Sequence, residues 1–163
     1  EFDKDLNVGP GLAESWDTST DGLTVTLHLR KGVTFDDGSA FDSADLKSSL
    51  DKIKDEKTAA VAAASLASVK SVDATDANTV TLHLTTPDAG LLANLATVNM
   101  AMLSSDDTEA GLNTTPNGTG AFKFSDRKAS QSMTIVRNDA YWGAKTKLDK
   151  VEFRVIPDES PIV

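Results

Sequence analysis

"LTVTLHLR" (Leu23–Arg30) alternates without a break: Leu23, Val25, Leu27 and Leu29 fall on one side, and Thr24, Thr26, His28 and Arg30 on the other. Period two with β-branched residues marks a half-buried strand with one wet face, the habit of antiparallel sheets. Its central six letters, TVTLHL, recur at Thr79–Leu84, with Val80, Leu82 and Leu84 as the inward set and Thr79, Thr81 and His83 outward. A turn signal precedes each strand, Asp21-Gly22 for the first and Asp76-Ala77-Asn78 for the second. Val69–Ala74 lies just before the second turn, which predicts a hairpin with Thr79–Thr85. The segments that follow the two copies diverge, "RKGVTFDDG" after one and "TTPDAGLL" after the other. A repeat unit carries its similarity throughout, so the identity reads as one amphipathic strand reached twice.

Outward from these strands, Asp36-Asp37-Gly38 is a further turn, and "FDSADLKSSLDKI" begins a helix. Asp42 is its N-cap and Asp45, three residues on, completes a carboxylate form of the capping box. Leu46, Leu50 and Ile53 then share one face. Thr58–Ser68 is Ala-rich and expected to be helical, and Asp88 is expected to cap a short helix bearing Leu91, Leu92 and Leu95. Ser104–Thr115 reads as a polar loop with one helical turn. "TPNGTGAFKF" is a Gly-rich turn entering a strand with Phe122 and Phe124 on one face, and Ser132–Arg137 is its partner. A last strand, Val151–Ile156, sets Val151, Phe153 and Val155 against Glu152 and Arg154. Paired strands with a few interposed helices predict an α+β fold with antiparallel strands and few, short helices.

The totals remove several function classes. The chain has 163 residues, with 25 acidic against 16 basic ones for a net charge of -9, and no cysteine. Without cysteine there are no disulfides, iron–sulfur clusters, thiolate zinc sites or cysteine nucleophiles. An acidic surface lacks the cations that replace phosphate counterions, so nucleic acid is not a partner, and anionic lipid is disfavoured too. No apolar run approaches the roughly 20 residues of a membrane helix. The chain opens at "EFDKDLNVGP" without Met and stops at "IPDESPIV", and reads as an excerpt.

Local chemistry is equally sparse. His28 and His83 sit on the polar faces of their strands, and their rings could approach if those strands were neighbours. Two imidazoles without an H-x-x-x-H or HExxH spacing do not make a zinc site, so no metal is expected. "NGTGAF" (Asn117–Phe122) lacks the Lys-Ser/Thr and the helix of a phosphate loop. Gly118 and Gly120 are expected instead to allow a left-handed or crowded backbone at a chain crossing. No G-x-S-x-G elbow occurs, and no catalytic residue and no cofactor are assigned. Asn113-Thr114-Thr115 and Asn117-Gly118-Thr119 match the glycosylation sequon by composition alone. Tyr141 and Trp142, in "DAYWG", are expected to pin their loop through the indole N–H.

The order of these fragments carries more than any one of them. "PGLAESWDTSTDGLTVTLHLRKGVTFDDGSAFDSADLKSSLDKI" (Pro10–Ile53) resembles the opening signature of the extracytoplasmic solute-binding proteins of family 5, the peptide/nickel class that serves ABC importers. "TPNGTGAFKF" resembles the family's N-P-x-G-T-G-P-Y-x-F, and "VRNDAYWGAKTKLDKVEFRVIPDES" its R-N-P-x-Y-W-G…L-D-x-V-x-F-x-x-I-P-D. Ala121, Phe122, Asp139 and Thr146 depart from the pattern, all in turns or strand ends, and Asp42 stands in for the usual Thr at the helix start.

The resemblance implies a lobe I portion of a type II periplasmic-binding-protein-like fold. Residues 1–142 would be mainly the small subdomain inserted into lobe I, and 143–163 would re-enter its main part, with the second lobe absent. The chain would be cut within "DESPIV", where a helix begins. It implies an extracytoplasmic protein, periplasmic or lipid-anchored outside the membrane, binding an oligopeptide or other small solute and docking on an ABC permease. As a fragment it is expected to be a monomer and no enzyme, with a non-transport interaction or sensor module on the same scaffold as the alternative. Cargo identity (dipeptide, longer peptide, metal chelate or sugar) stays open. Asn99 and Met100, uncharged residues after the Asp88–Leu95 helix, are the candidate ligand-side residues.

Overall fold

The computed structural model describes residues 1–156. The expected interruption within Asp158–Val163 lies outside the described residues. The chain divides into two compact units, one made of Glu1–Val33 and Ala40–Asp106, the other of Thr34–Ser39 and the chain from Asp107 on.

In the first unit, β1 (Ala13–Thr18), β2 (Thr24–Leu29), β3 (Val69–Asp76) and β4 (Thr79–Leu84) form an antiparallel sheet in the order β1-β2-β4-β3. The two TVTLHL strands are adjacent and antiparallel, in a register centred on Thr26 opposite Thr81. Val25, Leu27 and Leu29 of β2, and Val80, Leu82 and Leu84 of β4, are all buried, as the alternation predicts. His28 lies opposite Thr79 and His83 opposite Thr24. The strands are neighbours, yet the antiparallel register puts the two rings at opposite ends of the pairing, so they do not meet.

Helix α1 (Ser43–Lys54) packs on β3 and β4. Its capping box forms as read: Asp42 Oδ1 accepts the N–H of Ala44 at 2.7 Å, and Asp45 Oδ2 accepts the N–H of Asp42 at 2.9 Å. Leu46 and Leu50 enter the core and Ile53 is half-buried. Thr58–Ser68 departs from the α-helix expected there. It folds as two 3-10 turns, Glu56–Thr58 and Val61–Leu66, separated by Ala59 at φ 48°. Ala60 offers no side-chain cap, and only Ala62 and Leu66 of the second turn are buried. Ala-rich propensity without a cap or a continuous apolar face does not sustain a short helix. Helix α2 (Leu91–Leu95) follows; its N-cap is Gly90, without a side-chain cap, rather than the expected Asp88, whose Oδ1 accepts the N–H of Gly90 one residue before the helix at 2.9 Å.

The second unit carries α3 (Glu109–Thr114), the single turn expected in the polar loop, and an antiparallel sheet β5 (Phe122–Lys128), β6 (Ser132–Arg137), β7 (Lys150–Arg154). Phe122 and Phe124 pair with Arg137 and Ile135, and Ile135 with Val151. β7 stops at Arg154, short of the predicted Ile156. Among the described residues no helix is long and apolar enough to cross a membrane.

Candidate functional site

Asn99 and Met100 lie in the 3-10 turn Val98–Met100, behind α2, in the first unit. The turn is fixed from both sides. Upstream, Asn94 Nδ2 donates to the carbonyl of Ser65 at 3.2 Å, the Thr97 hydroxyl donates to the Asn94 carbonyl at 2.8 Å, and the Met100 N–H donates to Thr97 at 3.1 Å. Downstream, the Ser49 hydroxyl on α1 both donates to the Leu103 carbonyl (3.1 Å) and accepts its N–H (2.9 Å). Asp45 Oδ1 takes the N–H of Ser105 at 2.7 Å. Met100 is buried in this unit, whereas Asn99 is exposed and Val98 is 87% exposed. Val61, at the start of the neighbouring 3-10 turn, is 91% exposed. The turn presents an exposed ledge carrying the Val98 side chain and the Asn99 amide. It has hydrogen-bonding capacity and no acid, base or nucleophile.

In the second unit the three far-apart signature stretches converge on one knot. Asp37 donates its N–H to Asn117 Oδ1 at 3.3 Å, and Asn117 Nδ2 returns bonds to Asp37 Oδ2 at 3.1 Å and Asp107 Oδ1 at 3.3 Å. Asp36 Oδ2 accepts the N–H of Gly118 at 3.4 Å. Buried Asn138 donates to the Gly120 carbonyl at 3.0 Å and accepts the N–H of Ala140 at 3.0 Å. Burial pushes the Asp36 carboxyl above its ordinary range, the Gly118 N–H and Lys123 opposing it. The Ser39 hydroxyl and N–H hold Asp37 below that range, with help from Asn117. These hydrogen bonds join side chains to the chain itself, a structural fastening in which Asp107 Oδ2 alone is buried without a hydrogen-bond partner among the described residues.

The Trp142 indole donates to the Thr119 carbonyl at 3.1 Å, which is the pinning expected of this pair, and the Tyr141 and Trp142 rings sit 4.9 Å apart. Gly118 and Gly120 depart from their reading. Neither has positive φ, a Cβ on Gly118 would meet nothing within 4 Å, and one on Gly120 would make an ordinary 3.6 Å contact. The crowded position is Gly143, where a Cβ would stand 2.5 Å from the Tyr141 ring. Among the described residues no group of three or more His, Cys, Asp or Glu could hold a metal.

Residues 7–163 match the family described as bacterial extracellular solute-binding proteins, family 5 middle. The glutathione-binding protein GsiB of Pectobacterium atrosepticum is 33% identical over 165 residues, covering 98% of this chain and 32% of that protein. The dipeptide-binding protein of Escherichia coli K12 is 32% identical over 178 residues, covering 94% and 33%. The crystal structure of NikZ from Campylobacter jejuni in complex with Ni(L-His) superposes with a TM-score of 0.90 at 29% identity, over 98% of this chain and 33% of that one. The chain thus spans about a third of the length of the curated relatives it matches. With a family match that runs from Asn7 to the last residue, the chain belongs to the bacterial extracellular solute-binding proteins of family 5.

Proposed function

We propose that this chain is part of the solute-binding component of an ABC importer, working outside the cytoplasmic membrane, and that its cargo is a small peptide. The family match over residues 7–163 carries the reading. The peptide assignment draws on similarity to a glutathione-binding and a dipeptide-binding protein. On this reading residues 1–142 are mainly the small subdomain of lobe I and 143–163 re-enter its main part. Capture is closure of two lobes around the solute, and the closed form docks on the permease. Asn99 offers its amide to the solute, and Met100 acts through the core by holding the turn. The role is transport, without catalysis.

Deleting the gene and following accumulation of labelled glutathione, dipeptides and pentapeptides by whole cells tests this. Loss of one peptide class is the expected result. Unchanged uptake of every class contradicts the peptide assignment.

A further inference from the structure

The two TVTLHL strands belong to a larger repeated pattern. The strands that precede them share a Ser-x-Asp triplet, Ser15-Trp16-Asp17 in β1 and Ser71-Val72-Asp73 in β3, although the rest of the flanks diverges. Ser15 pairs with His28 and Ser71 with His83; Trp16 pairs with Leu27 and Val72 with Leu82; Asp17 pairs with Thr26 and Asp73 with Thr81. Each outer strand also carries a register shift at the same place, between Ala13 and Ser15 in β1 and between Val69 and Ser71 in β3. With Thr26 opposite Thr81 at the centre, the pairings of Ser15–Asp17 and Ser71–Asp73 correspond across that pair, although β3 carries a second shift, between Ala74 and Asp76, that β1 lacks. Coincidence of one strand, the reading drawn from the sequence, does not account for a shared bulge and shared outer-strand pairing.

The same correspondence relates two side-chain contacts on the solvent face. His28 Nε2 lies 2.9 Å from Asp17 Oδ2, and His83 Nε2 lies 3.0 Å from Asp73 Oδ2. Both contacts join an outer strand to an inner one just past the bulge. Without the bulge, the register at Ala13 and Leu29 would continue so that Trp16 faced solvent and Asp17 the core side. A one-residue slip exchanges the faces in this way. We propose that Asp17–His28 and Asp73–His83 are paired register locks, one in each copy of a duplicated bulged hairpin, holding the outer strand in its post-bulge alignment.

The copies differ in what else secures them. Val72 is buried, and Lys54 of α1 donates to the carbonyls of Val69 and Lys70 at the second bulge. Trp16 is only half-buried. The lock therefore carries more of the register in β1 than in β3.

Amide hydrogen exchange and cross-strand nuclear Overhauser contacts on the 163-residue chain test this, comparing His28→Thr, His28→Lys and His83→Thr. His28→Thr is expected to speed exchange of β1 amides by about two- to fivefold, the range of an exposed polar pair, and to weaken the Trp16–Leu27 pairing. His28→Lys restores an N–H donor opposite Asp17 and should return both towards the parent values. His83→Thr should act on β3 in the same sense and less. Unchanged β1 exchange in His28→Thr, equal acceleration in all four strands, absence of rescue by lysine, or a larger effect at β3 each overturns the proposal.

Discussion

Asp37 and Asn117, 80 residues apart in sequence, exchange two hydrogen bonds: the Asp37 N–H to Asn117 Oδ1 at 3.3 Å and Asn117 Nδ2 to Asp37 Oδ2 at 3.1 Å. A turn and a Gly-rich loop, each unremarkable alone, are thereby made one fastening. Replacing Asn117 with Ala leaves the Asp37 N–H and Asp107 Oδ1 without that partner. The expected loss is about 1–2 kcal/mol, read from urea denaturation, whereas Gly118→Ala, at a position with open space and ordinary φ, should change stability far less.

The two aspartates of that turn should respond oppositely to pH. Asp37 has a lowered pKa, so its contribution is present above the unfolded value near 3.8 and is lost as pH falls through the lower folded value. Asp36 has a raised pKa, so its contribution is full below the unfolded value and shrinks as pH rises through the folded one. Urea midpoints at about pH 3, 5 and 7 should show Asp36→Asn gaining on the parent as pH rises. Asp37→Asn should lose most at the highest pH.

Asp45 closes the capping box and also holds the segment leading out of the candidate ledge. It is 3% exposed, and its two oxygens take the N–H groups of Asp42 and Ser105. Asp45→Ala leaves two donors without their carboxylate, at a cost of about 2–3 kcal/mol by the scale of hydrogen bonds to charged groups. Exchange of the Ser105 amide should accelerate along with the first turn of α1.

Trp142→Phe keeps an aromatic ring, smaller than the indole, and removes the donor to Thr119. A loss of about 1 kcal/mol is expected, with increased exchange confined to the 117–121 loop and the 138–143 segment.

Much of this architecture was legible because burial alone dictates it. Alternation placed β2 and β4 with their inward sets and placed β5 and β6 as strands, although no residue of β5 or β6 is buried and Met133 is 39% exposed; a carboxylate three residues after a carboxylate placed α1. Thr58–Ser68 was misread because alanine favours helix in general, whereas here no cap and no continuous apolar face supported one. The Asp37–Asn117 knot was not legible, since long-range side-chain bonds leave no period in the chain. Gly118 and Gly120 suggested strain from residue type, yet the observed φ values need none, and the crowding falls on Gly143 because of the Tyr141 ring. For the candidate ledge, sequence located Asn99 and Met100 together. Only the fold separates them, turning the amide out and the thioether into the core.

On the proposed reading two lobes close around the solute, whereas this chain spans about a third of the length of its curated relatives. Calorimetric titration of the 163-residue chain, shown folded by circular dichroism, with a mixed di- to pentapeptide pool tests it most directly. No saturable heat at micromolar peptide is predicted. Saturable micromolar binding by this chain alone would overturn capture by two lobes.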